Sequence, residues 1–129
     1  MSYHENSRKT FIADAVIANQ SVVKLGTSGV EPCGAEDTPV GFVEIGAREV
    51  GEAVSVRLIN TQGTVEVRAG GSITSGALVS PGADGAVVVH SGTAAVLGIA
   101  LENASNEELF EIVPVFSTAA VAAASLSDE

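Results

Sequence analysis

Lysine and arginine are scarce in this 129-residue chain. There are six of them (Arg8, Lys9, Lys24, Arg48, Arg57 and Arg68) against 16 Asp plus Glu, giving a formal net charge of -10. No cationic run is longer than two residues. Attraction to a phosphate backbone rests on Lys and Arg neutralising charge, so nucleic acid and anionic membrane surfaces are excluded as expected partners. The single cysteine, Cys33, has no intrachain disulfide partner, and the two histidines, His4 and His90, do not make a zinc-site spacing. No metal or other cofactor is therefore expected. Long apolar runs are also missing: wholly apolar stretches such as residues 119–124 span only a few positions. That is too short for a signal-peptide core or a membrane helix, so the expectation is a soluble protein made in a cytoplasm. Tryptophan is absent and aromatics make up 4% of the chain.

What is present is small and β-branched. Hydrophobic residues make up 46%, with 19 Val and 19 Ala against 7 Leu and 7 Ile. This composition favours a Val-filled sheet protein over a Leu-rich helical bundle. A domain of this length buries roughly 65–70% of its unfolded surface, enough for a core without covalent staples. Turn-forming clusters recur every ~8–12 residues between short apolar or alternating runs, the pattern of an all-β sandwich or barrel. Val54, Val56 and Leu58 alternate with Ser55 and Arg57, and Val65 and Val67 alternate with Glu66 and Arg68. Joined through Asn60, Thr61, Gln62 and Gly63, these two runs predict a hairpin.

Laid on itself, the chain shows a repeat. Ile17, Val22, Val23 and Gly29 fall on Ile73, Leu78, Val79 and Gly85 at one constant spacing. Val40, Gly41, Phe42 and Val43 fall on Leu97, Gly98, Ile99 and Ala100 at a spacing one residue longer. A polar turn and a closing strand follow in each half, so two copies of one β-unit are expected, at roughly residues 9–59 and 65–116. A sheet of three or four short strands leaves one apolar face uncovered, and a second copy completes the core. Gly41 and Gly98 lie inside strand-like runs at matched positions, which predicts the same close backbone approach twice. Overall this is a small all-β sandwich or barrel over residues 11–116, with flexible arms at residues 1–10 and 117–129. The second arm is Ala-rich and suits a short helix.

Catalytic patterns are thin. His90 and Ser91, with Asp84 nearby in sequence, are the one cluster that suggests a hydrolase, but neighbours in a strand point to opposite faces. The Gly-rich stretches 70–71 and 82–85 lack the lysine and strand-to-helix context of a phosphate loop. The acidic pairs Glu36–Asp37 and Glu107–Glu108 fall in predicted loops and are expected as solvated charge. Cys33 has no neighbour in sequence that would lower its pKa. No enzymatic activity is expected.

One pattern points beyond a bland monomer. Residues 40–45, 96–101 and 110–116 are apolar at both parities, so each strand would show hydrophobic side chains on both sheet faces. Either such strands are sandwiched on both sides, or one face is a subunit or partner interface. The interface is the favoured reading, with Phe11, Phe42, Leu97, Ile99, Phe110, Val113, Val115 and Phe116 as candidate contacts. Pro114 fits an edge strand.

The run from Ala69 through Gly70, Gly71, Ile73, Gly76 and Val79, then Asp84-Gly85-Ala86-Val87, then Val96-Leu97-Gly98-Ile99-Ala100-Leu101, resembles the small capsid decoration (cement) proteins of tailed bacteriophages. The resemblance covers most of residues 13–116 and is strongest over 65–116. It departs from the family cadence at Asn19-Gln20, where the second copy has Ser75-Gly76, and in the extended Cys33 loop. It implies a β-rich, non-enzymatic protein, commonly trimeric, which binds the outside of a capsid and ties capsomers together. The implied partners are a major capsid protein and further copies of the chain, and the implied location is the outer capsid surface. Two rivals are a β-structured tail-fibre, baseplate or receptor-binding component, and a small hydrolase using Ser91 or Cys33.

Overall fold

Short runs of Val, Ile and Phe set off by turn residues form strands throughout the protein. The computed structural model describes residues 8–59, 63–92 and 94–117, with Phe116 and Ser117 as backbone alone. The expected short helix in the C-terminal tail and most of the two arms lie outside these residues. In the first half, β1 (Arg8–Ile12), β2 (Ser21–Leu25), β3 (Val30–Pro32), β4 (Gly41–Val43) and β5 (Ala53–Leu58) form a sheet ordered β1-β5-β4-β2-β3. In the second half, β6 (Val65–Arg68), β7 (Leu78–Pro81), β8 (Val87–Val89), β9 (Val96–Ala100) and β10 (Leu109–Ser117) form a sheet ordered β6-β10-β9-β7-β8. Every pairing between these strands is antiparallel.

The second order is the first with each strand advanced by five, and the register repeats as well. Phe11 pairs with Val54 as Val67 pairs with Phe110. Val22 pairs with Phe42 as Leu78 pairs with Ile99. Even the isolated bridges recur: Ala13–Val30 as Ala69–Val87, and Ile17–Ala47 as Ile73–Ala104. The fold is therefore all-β and built from two repeated units, connected at the spacing the sequence comparison indicates. The only helical element among the described residues is a 3-10 turn, Ala83–Gly85.

Two local expectations are corrected. The runs at 54–58 and 65–67 do not form a hairpin: β5 pairs with β1 and β4, whereas β6 pairs with β10. Their alternation is real, but each finds its partner within its own unit. Pro114 does not lie on an outer strand, because β10 sits between β6 and β9. Pairing with β6 nevertheless ends at Ile112, and the register with β9 shifts between Pro114 and Ser117. A residue without an N–H is tolerated at such a one-sided, bulged position.

Because side chains alternate across a strand, the burial pattern shows what each face meets. In β2 and β4, Val23 and Val43 join a first core with Ala13, Ile17, Val30, Ala47, Val54 and Val56. Their neighbours Val22 and Phe42, together with Cys33, turn the other way into a second core with Val65, Val67, Val79, Leu97, Phe110 and Ile112. The first sheet is thus covered on both faces, and its outer face closes the inner face of the second. Full burial of side chains such as Val22 and Phe42 stabilises by ~1.5–3 kcal/mol each.

Polar contacts fix the same junction. The Gly85 N–H donates to the Cys33 carbonyl at 2.9 Å, and Arg68 Nη2 donates to the Asp84 carbonyl at 3.1 Å and to Ser21 Oγ at 3.4 Å. Gly85 has a φ of 82°, and a Cβ there would lie 2.8 Å from the Ser21 Cβ, so this turn needs glycine for both conformation and room. Gly41 and Gly98 answer the expectation of a repeated close approach. A Cβ would fall 2.4 Å from the Arg57 carbonyl oxygen in one and 2.3 Å from the Val113 carbonyl oxygen in the other.

Candidate binding surfaces

The register places Leu78, Ile99 and Val113 side by side across β7, β9 and β10. Alternation puts all three on the outer face of the second sheet, opposite the face carrying Val79, Ala100 and Ile112. The same three positions in the first unit are Val22, Phe42 and Arg57. There Val22 is 0% and Phe42 1% exposed beneath the second unit, but Leu78 is 45% exposed. Ile99 and Val113 are half-buried. By the same alternation Leu101 and Leu109 lie on this face and are also exposed, with the exposed pair Glu66 and Glu111 between Leu109 and Val113. The second sheet thus keeps an apolar row on its outer face that stays half-buried or exposed, where the equivalent Val22 and Phe42 are buried beneath the second unit.

The candidate contact residues divide accordingly. Phe42, Leu97 and Phe110 are fully buried and fill the second core, so they hold the chain together and present no surface. Phe42 does mediate an interface, the one between the two units. Ile99 and Val113 belong to the outer row, and Val115 is half-exposed farther along β10. Phe11 is half-buried against the first core. The side chain of Phe116 lies outside the described residues. Of the three doubly apolar runs, 40–45 sends Phe42 and Val43 into two different cores while Ile45 is exposed, whereas 96–101 and 110–116 leave Ile99, Leu101, Val113 and Val115 half-buried or exposed although Leu97 is buried. Leu78 was missed because its short strand carries Ser80 at the same parity and so is not apolar on both faces, yet the self-alignment that sets it on Val22 carries the signal.

The first core is buried at its centre and open only at its rim. Phe11, Val40 and Leu58 pack against the first core but stay partly exposed. Beside them a cleft of ≈ 370 Å³ is lined by Lys24, Leu25, Asp37, Thr38, Pro39 and Val40. Lys24 Nζ donates to Asp37 Oδ2 at 2.9 Å and lies 3.4 Å from Glu31 Oε2. That pairing raises the Lys24 pKa and, with the Gly34 N–H donating to the same carboxylate, lowers that of Asp37. These charges satisfy one another on the rim.

The other candidate groups make contacts within the fold. His90 Nδ1 is hydrogen-bonded to Ser80 Oγ at 2.8 Å. Ser80 is 1% exposed and so closed to any substrate. The Asp84 carbonyl is engaged by Arg68 at the junction between units. Cys33 is buried, and loss of hydration pushes its thiol pKa up to about 12, the reverse of what a nucleophile needs. No group of three or more His, Cys, Asp or Glu that could hold a metal ion occurs among the described residues. Nor is any described helix long and apolar enough to cross a membrane.

Fold and surface together define an all-β module made of two copies of one five-stranded sheet, with its distinguishing chemistry in apolar faces. No protein-family model matches the chain, and no curated protein matches it. Among solved structures it is similar to the N base of the head fiber gp8.5 of bacteriophage phi29, with a TM-score of 0.72 and 19% sequence identity. The match covers 84% of this chain and 92% of that one. At this identity the likeness is one of fold.

Proposed function

We propose that the chain is a structural protein of a phage virion, which binds the outer surface of the capsid as a homo-oligomer, a trimer, and stabilises the junctions between capsomers. The likeness of its fold, over 84% of its length, to the base of a phage head fiber is the observation that carries the reading. The decoration-protein cadence of residues 65–116 supports it independently. A net charge of -10 fits a protein that must stay soluble at high copy number and have no affinity for packaged DNA. The reading assigns no catalytic step, cofactor or membrane contact. Its partner is a major capsid protein, and many identical weak contacts add through multivalency on a symmetric lattice.

A second reading follows from the same neighbour: the module serves as the platform of a fibre. Copy number separates the two, since a cement protein occupies every equivalent lattice position and a fibre base only a subset. A density map of the virion tests both. Density for this chain at capsomer junctions over the whole outer shell is the expected result. Density at isolated fibre attachment points would favour the second reading, and absence from the head would overturn both.

A further inference from the structure

Inside the chain, one contact is made once. The outer face of the first sheet, through Val22, Cys33 and Phe42, closes the inner face of the second. Duplication leaves the two halves of the same contact unused at the ends of the molecule. The second sheet's outer face carries Leu78, Ile99 and Val113 in the positions of Val22, Phe42 and Arg57, with Leu78 45% exposed. The first sheet's inner face is itself buried, with Val23, Val43, Val54 and Val56 at most 3% exposed, but its rim is open at Phe11 and Val40, whose counterparts Val67 and Leu97 are each 0% exposed in the second unit. Leu25 on this open rim is 62% exposed, whereas its counterpart Pro81 is buried. The register supports these equivalences: Leu25 pairs with Val30 as Pro81 pairs with Val87.

We infer that the outer face of the second unit docks on the open rim of the first core of another copy, at Phe11, Leu25 and Val40, repeating between chains the kind of packing that joins the two units within one. The occupant is a second copy because the equivalents of these two surfaces, around Val22 and Phe42 and around Val67 and Leu97, already share one core within the chain. The contact is head-to-tail: each chain offers one face to one neighbour and the other face to the next, and a rotation that closes gives a ring. The cleft beside Val40 and Leu25 marks where side chains from the neighbouring second sheet enter. The inference rests on the self-association part of the proposed function and is independent of shell binding.

Mixing two variants of the full-length chain tests it. Leu78→Asp spoils only the outer face and Leu25→Asp only the open rim, both at exposed positions, and matching thermal melts confirm that each folds. If aspartate at position 78 unfolds the chain, Leu78→Gln replaces it. By sedimentation equilibrium the wild type is expected at a multiple of the 12.9 kDa chain mass, and each variant alone at 12.9 kDa. The equimolar mixture is expected to form a one-to-one heterodimer, since one intact pair of faces remains. A variant that assembles like the wild type overturns the contact, as does a mixture that stays monomeric. A monomeric wild type overturns the contact together with the self-association reading, while the virion map judges shell binding separately.

Discussion

Val22 and Leu78 hold the same place in two copies of one sheet, yet one is 0% exposed and the other 45%. The two units share strand order, register, bridges and close glycine contacts, so the difference does not lie in how either folds. It lies in what sits on the outer face: the second unit covers Val22 and Phe42, whereas Leu78 stays exposed and Ile99 half-buried. The apolar character is nevertheless kept. Where the first unit has Arg57 the second has Val113, so the outer row is more uniformly apolar on the side that the chain itself leaves open. An apolar row left partly exposed on a chain of charge -10 is the feature on which the proposed self-association rests.

The sharpest way to break the comparison is to truncate matched side chains. Phe42→Ala should leave a cavity in the second core and cost ~3–5 kcal/mol. Ile99→Ala, at the equivalent but half-buried position, should cost about 1 kcal/mol or less in the dissociated chain. Urea unfolding of the two variants at low concentration measures both, and equal losses would contradict the difference in burial.

Matched glycines should behave alike, which tests the likeness itself. Gly41→Ala and Gly98→Ala each drive a methyl into a backbone carbonyl and should cost ~1–3 kcal/mol, the price of overpacking, by nearly equal amounts. A smaller asymmetry is expected at the first turn of each unit. Gln20 has a φ of 52° where the second unit has Gly76 at 90°. Gln20→Gly should relieve ~1 kcal/mol of left-handed backbone cost, and Gly76→Ala should impose a similar amount. Thermal melts of the pair resolve these opposite signs.

The smallest effect concerns the rim charges of the first unit. The Asp37 carboxylate is held below its ordinary pKa of 3.8 by Lys24 and the Gly34 N–H. Its folded pKa is the lower one, so its contribution is fully present above the ordinary value and fades as pH falls through the depressed one. Because the pair is largely solvated, Asp37→Asn should lower the melting point only slightly at neutral pH, and the gap to wild type should close in strong acid. A gap unchanged by acid would show that the ion pair is not its cause.

Much of the fold was legible in the sequence because turn residues and two-residue alternation depend on local chemistry, and because duplication makes each unit a check on the other. The spacing of Val22, Gly41 and Phe42 against Leu78, Gly98 and Ile99 fixed the correspondence that strand order and register reproduce. Partner choice was not legible. The alternating runs at 54–58 and 65–67 look like a hairpin because adjacency in sequence is the strongest local cue, whereas their partners β1 and β10 lie far along the chain. The candidate surface was half legible for a related reason. Apolarity at both parities identified strands with two apolar faces, but not which was covered from within. Phe42 and Ile99 were therefore named together, and stacking of the two units separates them, making one a core residue and the other part of a surface.

The central claim is that the outer row of the second sheet is covered by another molecule of the same chain. Sedimentation equilibrium of the wild type beside Ile99→Asp tests it most directly. The account predicts a wild type at a multiple of 12.9 kDa and an Ile99→Asp variant at 12.9 kDa that still melts cooperatively. The same mass for both would contradict it.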